Sequence, residues 1–175
     1  MTPLPPSLVP GCGLPQPPLI AWRLDQRKYQ ASWDSGEGAR LYGGRWNSIG
    51  RRVVYCSIDP ATAILEVAVH KTFRTLDTVP HVITSLEIID PSQVHVVQPN
   101  AIPNSSWLSP GLPSAGQQGY GDQLLASHGF VAIPSVVSKH SWNLLFDRDI
   151  ARGQYRMIAQ ADFALDTRLH PSATP

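Results

Sequence analysis

Only two cysteines, Cys12 and Cys56, occur in 175 residues. Two thiols build neither a disulfide framework nor a thiolate metal cluster, so both are expected to stay reduced, as in a cytoplasmic protein. An excess of one charge is missing too: fourteen Lys plus Arg face thirteen Asp plus Glu, a net of +1. Duplex nucleic acid selects a basic excess, so no direct nucleic-acid binding is expected and any anion site must be local. No apolar run reaches the ~18 residues of a membrane span, and the first residues lack the regions of a signal peptide. Neither membrane insertion nor export is expected. The chain also has no internal repeat, no G-x-G-x-x-G joining a strand to a helix and no G-x-S-x-G elbow, which argues against a Rossmann site and a serine hydrolase.

What is present organises as an arm and a domain. Residues 1–18 carry seven of the seventeen prolines, a density that blocks helix and sheet interior and predicts an extended arm. The whole chain is 42% apolar, and the rest, residues 19–175, can bury one core without disulfides or metal. "LIAWRL" reads as a first strand and "RKYQASWDSGEGARLYGG" as a polar, glycine-rich approach. "RVVYCS" reads as a buried strand. Asp59 followed by Pro60 predicts the cap and first turn of a helix running through "ATAILEVAVHKTF", apolar on nearly every side and therefore buried. "HVITSLEII" and "QVHVV" are expected as neighbouring strands about the turn "DPS". Residues 98–122 show no periodicity and read as a long binding loop or lid. A short helix at "DQLLASHG", a strand "FVAIP" and a last strand "YRMIAQADFAL" follow, the last with Tyr155, Met157, Ala159, Ala161 and Phe163 on one face. Strands and few helices without regular alternation predict a single α+β domain with a mixed β core.

Two places could carry chemistry. Between Gly38 and Ser57 stand Arg40, Arg45, Arg51 and Arg52 with no acidic residue, a local positive site on a glycine-rich backbone that suits phosphate. Glu66 lies inside "AILEVAV", where a carboxylate needs a partner or a purpose. His70, one turn on, could pair with it. A metal would need a third ligand that the spacing does not supply, so no metal is expected. Ser135 closes the strand "FVAIP", with His140 nearby.

Together, "GGRWNSIGRRVVYCSIDPATAILEVAVH", "IPSVVSKHSWNLL" and "FALDTRL" resemble the RES-domain toxins of bacterial RES–Xre toxin–antitoxin pairs, over about Trp22 to Leu169. The Arg, Glu and Ser of the family name match Arg45, Glu66 and Ser135. The resemblance implies a fold similar to ADP-ribosyltransferase toxins, NAD+ as substrate, growth arrest through its depletion, and a cognate Xre-type antitoxin that occludes the cleft. It assigns Glu66 to an oxocarbenium-like transition state, Arg45 to the pyrophosphate, and Ser135 to a hydrogen bond that orients ribose or amide. Tyr55 would offer a ring face or hydroxyl. Asn47 would point into the cleft beside Arg45, with Gly43 and Gly44 letting the backbone approach the ligand. Arg23 and Trp46 would form the pocket wall. The acceptor of the ADP-ribosyl group stays open between water, phosphate and a protein; a non-catalytic binding module is the remaining alternative.

Overall fold

The computed structural model describes residue 8 and residues 18–166. Most of the proline-rich arm, with Cys12, and the closing residues 167–169 of "FALDTRL" lie outside the described residues. Among the described residues seven strands form one mixed sheet: β1 (Leu19–Gln26), β2 (Val53–Ser57), β3 (His81–Ile88), β4 (Val94–Val96), β5 (Phe130–Pro134), β6 (Trp142–Asp147) and β7 (Tyr155–Phe163). Their order is β4-β5-β6-β2-β1-β3-β7. Every pairing is antiparallel except β4 with β5. With the helices α1 (Glu37–Tyr42), α2 (Pro60–Lys71), α3 (Phe73–Thr78) and α4 (Ala115–Ser127), this is the single α+β domain that the sequence predicts.

The sheet is nearly divided in two. β1 pairs with β3 along eight positions, but with β2 only at Trp22↔Ser57. Strand alternation then assigns the faces. Leu19, Ala21, Val54, Cys56, Leu144 and Phe146 share one buried cluster with Leu86, Ile88 and Phe130. On the opposite face, Val53, Val131, Ile133 and Leu145 pack under Trp46 and Leu125 of α4. There too Leu24 packs with Ala68 and Leu76 of α2 and α3. Thus α2 and α4 cover different halves of the same face, and Tyr55, Ser57 and Asn143 lie on it by register.

Several expectations need correction. "HVITSLEII" and "QVHVV" are not neighbours: β3 lies between β1 and β7, whereas β4 is the far edge beside β5. Helix α2 is capped as expected, Asp59 Oδ1 accepting from the Thr62 N–H at 2.8 Å, but it is not buried all round; Leu65 and Val69 are exposed. The glycine-rich approach contains a 3-10 helix at Arg27–Ser32 and α1. The long loop is broken by short 3-10 turns at Pro99–Ala101 and Ser105–Leu108, and α4 begins seven residues before "DQLLASHG". Strand β6 was not expected at all, because its buried run shows no alternation to mark it. In β7 a register irregularity opposite Ser85 and Leu86 breaks the single face expected there.

Thr72 joins α2 to α3 with φ 70° and ψ 151°, a conformation that a β-branched residue adopts only under strain. Thr72→Gly is expected to stabilise the fold by about 1 kcal/mol, the relieved strain less the entropy of the added glycine. Urea unfolding checks this; an unchanged midpoint would mean that the junction is not strained in solution.

Candidate active site

The site is built at the C-terminal end of β2, where the sheet divides. Glu66 of α2 reaches down to the ends of β5 and β6. Its Oε1 accepts hydrogen bonds from Ser135 Oγ at 2.9 Å and from Asn143 Nδ2 at 2.5 Å. Asn143 Oδ1 accepts in turn from Ser57 Oγ at 2.8 Å. Ser57 and Asn143 are direct register partners, which is why two side chains so distant in sequence meet. Ser135 is steadied by its own turn, its Oγ accepting from the Ser138 N–H at 3.0 Å. The far end of that turn is tied to the start of α2 by Ser141 Oγ, which donates to Asp59 Oδ2 at 2.5 Å. Burial pulls the Asp59 carboxyl up, but the donors from Ser141 and Thr62 outweigh it and hold the group below its ordinary value.

Glu66 and Ser135 therefore touch, as a shared site requires. This network takes the place of the Glu66–His70 pair that the spacing left open as an alternative, and His70 is exposed. Asn143 and Ser57 were missed by sequence reasoning. Asn143 stands inside the quoted "SWNLL", but with β6 unrecognised nothing placed it opposite Ser57.

The Gly43–Asn47 turn forms a second group. Tyr55 Oη donates to Asn47 Oδ1 at 2.7 Å and accepts from the Trp46 N–H at 3.1 Å. Burial raises the Tyr55 phenol above its ordinary value; the Asp122 and Glu66 charges add to this and the Trp46 N–H and Arg45 oppose it. The hydroxyl so stays a donor. A Cβ on Gly44 would lie 2.5 Å from Tyr55 Oη and 2.7 Å from Asn47 Oδ1, so a glycine is required here by the phenol under the turn. Asn47 does not point into the cleft: it is fully buried, and its Nδ2 donates to the Ala39 and Ser48 carbonyls. Trp46 is core rather than pocket wall, packed edge-on against Tyr120. Arg23 alternates to the opposite face from Trp22 and from the Glu66 group. There its Nη1 donates to the Tyr55 carbonyl at 2.7 Å and its Nη2 to Asp25 at 2.8 Å, filling the gap between β1 and β2.

The arginine cluster resolves into unlike members. Arg40 and Arg52 share Glu37, and Arg51 lies between Asp122 and Asp147. Arg45 has no carboxylate within ion-pair distance among the described residues. Its guanidinium donates instead to the carbonyls of Trp107, Ser109 and Gly111 at 3.4, 3.4 and 2.9 Å. Arg45 thereby fastens the segment before α4 over a cavity of about 210 Å³ that it lines with Asn104, Trp107, Leu112 and Gln117. Neutral carbonyls compensate a guanidinium less well than a carboxylate, and Arg45 is the one of the four whose partners among the described residues are carbonyls alone.

A family model described as the RES domain matches residues 20–166, nearly the whole of the described chain. The chain belongs to the RES-domain family. The RES relatives include "Toxin Res" of Photorhabdus laumondii subsp. laumondii, 33% identical over 86% of this chain and 97% of that one. They also include the "Prs ADP-ribosylating toxin" of a Sphingobium species, 32% identical over 72% of this chain and 80% of that one. A chain of the M. tuberculosis MbcT–MbcA toxin–antitoxin complex shares the fold with a TM-score of 0.68, at 17% identity, over 84% of this chain and 85% of that chain. Among the described residues no helix is long and apolar enough to cross a membrane, and no group of three or more His, Cys, Asp or Glu could hold a metal ion.

Proposed function

We propose that this RES domain is the toxin of a toxin–antitoxin pair, that it breaks the nicotinamide–ribose bond of NAD+, and that an Xre-type antitoxin restrains it by occluding the cleft. The observation that carries the reading is the Glu66 carboxylate, held through one oxygen by Ser135 and Asn143 at the division of the sheet. Cleavage of an N-glycosidic bond develops positive charge on the ribose, and a fixed carboxylate facing that charge stabilises it. Arg45 then takes the pyrophosphate, exchanging neutral carbonyl partners for charged ones. Ser135 steadies Glu66 in the free protein and is placed to bond ribose or amide beside it. The toxin names of the relatives and the toxin–antitoxin neighbour support the biological role.

A second reading keeps the same pocket and passes ADP-ribose to a protein; the Sphingobium relative's name favours it. Product analysis separates the two. Purified protein given NAD+, with or without phosphate, is expected to release nicotinamide and a soluble ADP-ribose, free or phosphorylated, in matching amounts by mass spectrometry. Nicotinamide that appears only when a protein extract is added, with the ADP-ribose mass on a protein, would replace hydrolysis or phosphorolysis by transfer.

A further inference from the structure

We propose that Asn143 is a positioning residue for Glu66: fixed by Ser57, it holds one carboxylate oxygen so that the other is presented to the ligand. The inference rests on the reading of Glu66 as the group that faces the NAD+ ribose. Both donors, Ser135 Oγ and Asn143 Nδ2, converge on Oε1, and among the described residues no hydrogen bond is made to Oε2. A carboxylate only accepts, so the amide must turn its NH₂ to Glu66 and its oxygen to Ser57. The Ser57 hydroxyl, able to donate, completes a one-way chain from Ser57 to Asn143 to Glu66. Asn143 and Ser57 are buried, on paired strands in the middle of the sheet. Ser135 stands beyond the end of β5, on a turn. The rigid support for Glu66 is therefore the amide, since a group carried on paired strands is more sharply placed than one on a loop. A glutamate has rotor freedom that must be removed before it can serve as a fixed charge, and misplacement by about 1 Å can cost 10²-fold in rate.

The test uses the full chain with Asn143→Leu, Asn143→Asp and Ser57→Ala, with nicotinamide release from NAD+ as the rate. Asn143→Leu is expected to lower kcat by about 10- to 100-fold while KM stays within about twofold, because ligand-binding groups are untouched. Asn143→Asp sets two carboxyls in one contact, and such a pair retains a proton. The acid limb of its pH–rate profile is expected to move up by about one unit or more, which a merely structural amide would not cause. Should Asn143→Leu fail to fold, Ser57→Ala carries the test, with an expected kcat loss of about threefold to tenfold as the amide loses its anchor. Wild-type kcat in a folded Asn143→Leu, or in Ser57→Ala where Leu does not fold, or an unmoved profile in Asn143→Asp, overturns the inference. A readout independent of turnover separates this from failure of the NAD+ reading. NMR relaxation of the Glu66 methylenes is expected to show a fixed side chain in the wild type and a mobile one in Asn143→Leu, or in Ser57→Ala if Leu does not fold. A Glu66 equally fixed in both overturns the positioning role even if the protein never turns over NAD+.

Discussion

Glu66→Gln is expected to reduce nicotinamide release from NAD+ by about 10²- to 10³-fold, the scale on which one preorganised electrostatic partner of a transition state acts. The amide keeps the size of the carboxyl, and its oxygen can accept from Ser135 and Asn143 as Oε1 does. What disappears is the negative charge that the proposed mechanism sets opposite the ribose. The fold and the affinity for NAD+ are therefore expected to survive, and cells that produce the variant are expected to grow. Calorimetry with NAD+ beside the rate assay checks both halves. Wild-type turnover in this variant would remove Glu66 from the chemistry, and loss of folding would make it a structural group.

The largest effect on stability is expected at Gly121, in the middle of α4. A Cβ there would lie 2.7 Å from the Trp46 carbonyl carbon, 2.8 Å from its Cα and closer still to the carbonyl oxygen. Backbone cannot swing aside as a side-chain end can, so Gly121→Ala must push α4 off the Gly43–Asn47 turn. That motion breaks the Gln118 Nε2 bond to the Gly44 carbonyl and the bonds from Ser48 and Arg51 to Asp122. Overpacking commonly costs 1–3 kcal/mol, and the upper end, about 3 kcal/mol, applies to a backbone clash. In a domain of this size that lowers Tm by about 10 °C. Gly119→Ala, two residues away with open space around its Cβ, is the control: better helix propensity is expected to stabilise by about 0.5–1 kcal/mol. Equal behaviour of the two variants would refute the close crossing.

That contrast also shows why part of the fold was hidden in the sequence. Three glycines in "AGQQGYGDQLLAS" count against a helix by local propensity. Two contacts outweigh it, namely the Ser114 cap at the Gln117 N–H and the packing of Gly121 on Trp46. Strand β6 was hidden for a related reason. Buried in the middle of the sheet, it has no polar face to give it a period of two.

What the sequence by itself determined was local. The Asp59–Pro60 start of α2, the strands at "RVVYCS" and "FVAIP", and the singular position of Glu66 among apolar neighbours follow from residue chemistry within a few turns of chain. So did the motifs of the RES family. Which arginine is left with carbonyl partners alone, which partners hold Glu66, and which face Arg23 occupies depended on residues brought together from far along the chain. Arg51 is paired with Asp122 and Asp147, Arg40 and Arg52 share Glu37, and Glu66 is held by an asparagine 77 positions away. Charge and hydrogen bonding act through space over a few ångströms, so only the strand register, which sets Ser57 opposite Asn143 and leaves β1 joined to β2 at one pair, could decide them.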